Sequence, residues 1–260
     1  MELAGKTAII TGGASGMGRA VAQRLHRQGV AVAILDRNAV LGTALAGELG
    51  DRALFHQADV TSEADVAAAI EATAASFGDI QICCNFAGIV SLKRTIGDDG
   101  AMPMRAFTRN IDINLTGSFN VARLCADRMR HNAALDADDN RGVIINVSSV
   151  AAYQGPSGTV GYSASKAAIT GMTLPLARDL APFGIRVNTI VPGLILTPMT
   201  MGNDPAKHAD AERRAAQSLA HVLYPKRFGT AEEVAHLTQF IIENDYINAE
   251  CIRIDAGKRV

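Results

Sequence analysis

The sequence predicts an α/β fold: one domain over 1–260, with helices covering both faces of a doubly wound parallel sheet of about seven strands. Three observations predict it. Short β-branched runs alternate with longer stretches of helical periodicity along almost the whole chain. A glycine-rich turn separates the first apolar run from the first helical stretch. Hydrophobic residues make up 48% of the 260 residues while aromatics make up only 5% and Trp is absent, so the interior must be built from Ala, Val, Ile and Leu, which suits a sheet covered on both sides.

Taken in order, strands are expected over 7–10, 30–35, 53–57, 80–84, 143–147, 186–190 and 251–254, each a short run rich in Val, Ile or Ala. Helices are expected between them, over 17–28, 39–49, 63–77, 104–131, 159–180 and 231–242. So regular an alternation implies right-handed crossovers and parallel strands. No Pro, Gly or Ser linker divides the chain, and no fixed repeat is visible. Two segments break the rhythm: 90–103, with Gly97-Asp98-Asp99-Gly100, and the polar, weakly periodic 197–226. Both follow a strand's carboxyl end, where open α/β sheets bind ligands, and both are expected to be substrate loops.

Composition narrows the function classes. Lys plus Arg (25) nearly balances Asp plus Glu (26) without a basic run, which argues against nucleic acid or an anionic membrane as partner and leaves a small-molecule substrate. Cys83, Cys84, Cys125 and Cys251 form no CxxC pair and are expected to be buried thiols in a reducing compartment. His26, His56, His131, His208, His221 and His236 have no metal-ligand spacing, so a metal-independent mechanism is expected. The opening MELAGKTAII lacks the charged and apolar regions of a signal peptide, and no apolar stretch is long enough to span a bilayer, which points to a cytoplasmic chain.

The chemistry begins at Thr11-Gly12-Gly13-Ala14-Ser15-Gly16-Met17-Gly18, directly between the first strand and first helix. Glycines there let backbone approach a pyrophosphate at a helix N-terminus, although glycines alone also serve ordinary turns. Asp36 lies 18 residues beyond Gly18, at the end of the second strand, where a carboxylate can bind both ribose hydroxyls of an adenosine. Such a carboxylate repels a 2′-phosphate, and the turn carries Ser15 rather than a basic residue, so NAD is expected over NADP. Arg37 is either a further cofactor contact or a solvated charge.

Tyr162 and Lys166 are four residues apart and share one helix face, so the ammonium can approach the phenol. A phenol titrating at about 10 needs a shift of two to three units to act as a base near neutrality, roughly 3 to 4 kcal/mol of phenolate stabilisation. Lys166 and a positively charged nicotinamide can supply it in a dry cleft. Ser149, 13 residues before Tyr162 and just beyond a strand, can polarise a substrate oxygen. Asn114, inside the expected helix over 104–131, can hold a water that links Lys166 to solvent. Each residue alone is unremarkable on a protein surface; their joint order behind a phosphate cradle is not.

With these motifs the chain resembles the short-chain dehydrogenase/reductase family over nearly all its length. Thr11 to Gly18 matches the family's glycine motif, Asp59-Val60 the pair at adenine, Asn85-Phe86-Ala87-Gly88 the NNAG strand motif, and Asn114, Ser149, Tyr162 and Lys166 the catalytic tetrad. Pro192-Gly193-Leu194-Ile195-Leu196-Thr197 resembles the segment whose Ile195 backbone and Thr197 hydroxyl would hold the nicotinamide carboxamide. The resemblance implies a Rossmann fold, Tyr162 as general base, Ser149 as oxyanion partner, Lys166 as ribose ligand, Asn114 as proton-relay support, and a homotetramer. Phe86 departs from the second Asn of NNAG, Ala249 from the usual Gly of the ITG segment, and Asp255-Ala256-Gly257 from DGG.

Further segments, among them 141–146, 171–182, 241–244 and 248–255, are similar to a branch of the family that acts on 3-hydroxyacyl-CoA thioesters and hydroxysteroids. NAD-dependent oxidation of such an alcohol is the leading expectation. The alternatives are an NADPH-dependent carbonyl reductase, which Asp36 opposes, and a non-catalytic NAD(H) sensor or scaffold, which the intact tetrad opposes. Lys93 and Arg94 either meet CoA phosphates or are solvated.

Overall fold

The structure, a computed structural model, describes residues 1–201, 217 and 219–259. Its strands are β1 (Thr7–Thr11), β2 (Ala31–Asp36), β3 (Ala53–Gln57), β4 (Ile82–Asn85), β5 (Ile96–Gly97), β6 (Gly100–Ala101), β7 (Gly142–Val147), β8 (Ile185–Pro192) and β9 (Cys251–Ile254). Seven of them form a parallel sheet in the order β3-β2-β1-β4-β7-β8-β9, while β5 and β6 make a separate antiparallel hairpin. This is the expected Rossmann fold. The helices are α1 (Gly16–Arg27), α2 (Ala39–Leu49), α3 (Glu63–Phe77), α4 (Met104–Asn110), α5 (Gly117–Met129), α6 (Ala151–Gln154), α7 (Val160–Leu180), α8 (Pro198–Met201) and α9 (Ala231–Glu243).

Alternation along each strand divides the core between two faces. Ala8 and Ile10 of β1 join Val32, Ile34, Val143 and Ile145 under Val21 and Leu25 of α1 and Val234 and Ile241 of α9. Ile9, Ala33, Leu35 and Ile144 point the other way, to Val66 and Ile70 of α3 and Val121, Cys125 and Met129 of α5. Cys83, Cys84 and Cys125 are buried thiols, as expected, and Cys251 is half-buried. Among the described residues no helix is long and apolar enough to cross a membrane.

Two expectations are corrected. The single helix over 104–131 is instead α4, a π-helical stretch Ile111–Thr116, and α5. The widening falls where the Asn110 and Asn114 amides bond the main chain of Ser91 and Ile89, tying this helix to the segment leaving β4. The segment 90–103 is not wholly irregular: Gly97-Asp98-Asp99-Gly100 turns the β5–β6 hairpin, with Gly100 at φ +98°. Of the expected substrate loop 197–226, α8 and 219–226 are described with Gln217, while 202–216 and 218, including His208, lie outside the described residues.

Register gathers the strand ends at one edge. Thr11 pairs with Leu35 on one side and Asn85 on the other, and Asn85 pairs in turn with Asn146. Between β1 and β4 the connections diverge to opposite faces, which leaves a crevice beyond the carboxyl ends of these strands. At the opposite end, buried Arg186 of β8 holds the carboxyl terminus of α9. Its Nη1 donates to the carbonyls of Ile241 (3.0 Å) and Ile247 (2.8 Å), its Nη2 to the Ile242 carbonyl (2.9 Å) and the Asp245 carboxylate (3.1 Å).

A helix end leaves its last carbonyls without intrahelical donors, and a cation there satisfies both their hydrogen bonds and the helix dipole. Arg186→Ala removes three charge-assisted bonds to carbonyls, of which Ile242 keeps the Met1 ammonium and Ile247 the Asn188 amide, and is expected to cost about 1 to 3 kcal/mol. The measurement is the urea midpoint of the variant against wild type; an unchanged midpoint would show that Arg186 does not hold α9.

Candidate active site

The cradle is built by close backbone approach at the end of β1. Gly12 adopts φ +63° and Gly16 φ +53°, in the left-handed region. A Cβ on Gly12 would stand 2.8 Å from the backbone of Phe86 and Ala87, and one on Gly18 would collide with the Gly12 carbonyl. The Thr11 hydroxyl accepts the Ala87 N–H at 3.1 Å, joining the two loops across the crevice. Ser15, the N-cap of α1, makes no side-chain bond to the helix, and the first turn holds no acidic residue. N–H groups of that turn are therefore open to an anion.

A cavity of about 270 Å³ opens over this turn. Gly12, Ser15, Gly16, Met17 and Gly18 line one side, Asp36, Arg37, Asp59 and Val60 another, and Ala87, Gly88 and Thr197 the mouth. The cavity's floor at the turn is bare main chain, because a Cβ on Gly12 would strike the backbone of Phe86 and Ala87, and such a floor suits a pyrophosphate. Asp36 is held by the main chain: Oδ2 accepts from Ala14 N (3.2 Å) and Oδ1 from Asn38 N (3.0 Å), leaving each oxygen a further lone pair. Arg37 is exposed, and its Nε lies 3.6 Å from Asp59 Oδ2. The Asp59 carboxylate accepts both the N–H and hydroxyl of Thr61, which hold it below the usual carboxylate range.

Asn85 lies behind the cradle rather than on its surface. Its buried Nδ2 donates to the Asn146 side chain (2.9 Å) and the Ser118 carbonyl (3.2 Å), locking β4 to β7 and α5. Phe86 lines the cavity with its ring and joins β1 through its N–H to Thr11 O (3.2 Å).

The four expected catalytic residues converge from β7, α7 and the π-helical stretch. A second cavity of about 370 Å³ holds Ser149, Tyr162 and Lys166, and it shares Met17, Phe86, Gly88, Ile89, Thr197 and Met199 with the first, so the two are one cleft. Ser149 shares the cleft with the Tyr162 phenol and lowers its pKa, and it is itself oriented by the Ala151 N–H, which donates to its Oγ at 3.1 Å. Lys166 Nζ donates to the Val147 carbonyl (2.8 Å) and stands 5.8 Å from the Tyr162 ring centroid. Burial lowers the Lys166 ammonium to about 8.

Burial also pushes the Tyr162 phenol up, with Ser149 pulling it part of the way back. Lys166, whose ammonium is turned to the Val147 carbonyl, does not offset this rise. The Asn114 side chain is committed to its neighbours. Its Oδ1 accepts from Ile89 N (2.8 Å), and its two amide hydrogens go to Ile89 O and Ser165 Oγ (3.0 Å each), so the side chain fastens Ile89 beside Gly88.

Pro192 and Gly193 close the cleft's floor beside β9: Gly193 N donates to Ile254 O at 2.9 Å, and a Cβ on Gly193 would strike Asp255. Ile195 bridges Gly229, and its carbonyl accepts the Thr200 hydroxyl at 2.7 Å. The Thr197 hydroxyl lies 3.2 Å from that of Thr200. Leu92 comes from the expected substrate loop 90–103, whereas sequence reasoning missed Gln154 and Lys258 as cleft residues, and Ala58 and Ile113 beside the cradle. Ala58 was within reach through its neighbours Asp59 and Val60; the others carry no local signal. A roomier cavity of about 440 Å³, between α9 and the segment around Gly229, contains none of the expected catalytic side chains.

Comparison with known proteins agrees with this geometry. The short chain dehydrogenase family matches residues 6–208. The human 3-hydroxyacyl-CoA dehydrogenase type-2 is 45% identical over 259 residues, covering 98% of this chain and 96% of the relative. A 3-alpha-(or 20-beta)-hydroxysteroid dehydrogenase of Mycobacterium tuberculosis is 38% identical over 199 residues, covering 76% of this chain and 72% of the relative. The crystal structure of 3-hydroxyacyl-CoA dehydrogenase type-2 from Mycobacterium avium superposes with a TM-score of 0.91 at 40% identity, covering 98% of this chain and 96% of that one. Likeness of sequence and of fold run together from end to end, and the chain belongs to the short-chain dehydrogenase family, oxidoreductases that use a nicotinamide nucleotide.

Proposed function

We propose that the chain is an NAD-dependent dehydrogenase that reversibly oxidises the secondary alcohol of a 3-hydroxyacyl-CoA or a hydroxysteroid. The observation that carries this reading is the continuous cleft: the Ser149–Tyr162 pair opens into the same space as a glycine cradle with Asp36 at its far end. The substrate classes come from the names of the similar proteins, and the apolar lining by Val90, Leu92, Val150, Leu194 and Met199 is compatible with both. A homotetramer goes with this proposal on family resemblance alone, and a cytoplasmic setting on the free cysteines.

The adenosine would lie between Asp36, Asp59 and Val60, the pyrophosphate over Gly12 to Gly18, and the nicotinamide towards Ala87, Gly88, Pro192, Gly193, Ile195 and Thr197, with Asn85 bracing the strand behind. When bound, NAD+ supplies the acceptor for the hydride leaving the alcohol carbon and a positive charge beside the cleft. Ser149 donates to the substrate oxygen as that oxygen gains carbonyl character. Tyr162 takes the hydroxyl proton and later releases it to solvent. Lys166, anchored on Val147 O, sets the ribose and adds positive charge behind the phenol, and Asn114 keeps Ile89 and Ser165 fixed around it.

Asp36 supports NAD over NADP because both its oxygens keep lone pairs that a bound ribose could use, and its charge would repel a 2′-phosphate, while Arg37 lies towards Asp59. Asp36→Ala is expected to lower the preference for NAD+ over NADP+, as a ratio of kcat/KM, about ten- to a hundredfold, the loss of charge-assisted hydrogen bonds. An unchanged ratio would assign cofactor choice to another residue.

Tyr162→Phe is expected to lower kcat by about 10² to 10⁴, with NADH binding retained. Full activity in that variant would remove Tyr162 from the mechanism. Because burial raises the Tyr162 phenol and oxidation needs it deprotonated, kcat/KM for alcohol oxidation should rise with pH. Ketone reduction, which needs the protonated phenol, should fall over the same range. Rate profiles in both directions test the sign.

A further inference from the structure

Among the described residues, the cleft around Tyr162 is lined by two cations, Lys166 and Lys258, and by no carboxylate. Lys166 is satisfied by the Val147 carbonyl. Lys258 is only 9% exposed, yet among the described residues no acceptor lies within hydrogen-bonding distance of its ammonium. The nearby carboxylate, Asp255, is already taken. Its Oδ2 accepts from Arg253 Nη2 (2.6 Å) and Nε (2.8 Å) and from Arg259 Nη1 (3.0 Å), and its Oδ1 from Gly257 N (3.0 Å).

Among the described residues, β9 and the segment after it thus set three cations, Arg253, Lys258 and Arg259, against the one side-chain carboxylate of Asp255. The segment's backbone is fixed: the Lys258 carbonyl accepts from Gln154 Nε2 (2.9 Å), Arg253 Nη2 (3.2 Å) and Arg259 Nη1 (2.6 Å), and its N–H donates to Asp255 O (2.9 Å). Burial lowers the Lys258 ammonium despite the pull of Asp255. An ammonium that opens into the cleft from a rigid segment without a protein acceptor is left to solvent, and an oxyanion brought into the cleft can pair with it.

We propose that Lys258 is a specificity-determining residue whose ammonium pairs with an anionic oxygen group of the substrate, a carboxylate or a phosphate, while Tyr162 and Ser149 hold the alcohol at the other part of the same cleft. This rests on the dehydrogenase reading above and narrows its substrate class to alcohols that carry an anion. It also assigns a task to a side chain that hydride transfer does not use.

The test compares wild type, Lys258→Met and Lys258→Arg with NAD+ and three substrates that share one alcohol: 3-hydroxybutyryl-CoA, its uncharged N-acetylcysteamine thioester, and free 3-hydroxybutyrate. The expected result for Lys258→Met is a fall of about tenfold or more in the ratio of kcat/KM for a charged to the uncharged substrate, carried by KM, with Lys258→Arg restoring most of it. A fall confined to the CoA ester identifies the phosphate, and one confined to the free acid the carboxylate. Equal effects on all three substrates, or none, overturn the proposal.

If wild type oxidises none of the three, the dehydrogenase reading fails for this alcohol, and Lys258 is then judged by binding. Quenching of bound NADH fluorescence is titrated with CoA and with acetoacetate. Binding by wild type that Lys258→Met weakens about tenfold supports the anion site, and binding unaffected by the variant, or absent from wild type, overturns it.

Discussion

Parallel pairing is the constraint on which the site depends. Once β1 pairs in the same direction with β2 and β4, each strand releases its chain at one edge, and residues distant in sequence emerge side by side: Thr11, Asp36, Asn85 and Val147. The crossovers must then pass to opposite faces on the two sides of β1, and the crevice between them is where a flat, extended ligand can enter. The glycines follow from this. With Gly12 packed on the backbone of Phe86 and Ala87, no side chain can stand between the β1 and β4 loops, so the crevice floor is bare main chain.

Above that floor, fixed hydrogen bonds hold the reactive groups where burial penalises them. Lys166 is driven down to about 8 by desolvation, and the same desolvation drives the Tyr162 phenol up. A free protein in which both groups resist their charged forms can exchange a proton once a compensating charge arrives, which an apolar cleft does not supply by itself. Asn114 and Asn85 show the same division of labour. Their amides are spent on Ile89, Ser165, Ser118 and Asn146, and so fix the loop after β4 while Ser149, Tyr162 and Lys166 face the cleft.

Much of the fold was legible because burial on both faces writes itself as apolar runs. All seven sheet strands lie within a few residues of the apolar runs that predicted them, and the shortfall at β8, which continues to Pro192, comes from Val191 and Pro192 carrying no clear strand pattern. The break in the helix over 104–131 was not legible, since the apolar spacing is continuous through Ile111–Thr116 and the π-helical turn depends on amide bonds to Ser91 and Ile89. Arg186 reads as one polar residue in a strand, and nothing local tells that α9 ends against it.

The sequence by itself determined the strand-helix alternation, the glycine turn, the carboxylate ending β2, and the Tyr162–Lys166 pair on one helix face, because each is a local pattern whose period or spacing is set by backbone geometry. Only the tertiary structure decided what these residues meet: that Asn114 is committed to Ile89, that Tyr162 shares a cleft with Ser149 and is raised by burial, and that Lys258 enters the cleft unpaired beside a carboxylate already held by two arginines. Desolvation and pairing depend on every neighbour within a few ångströms, and in a parallel sheet those neighbours come from strands and loops far apart along the chain.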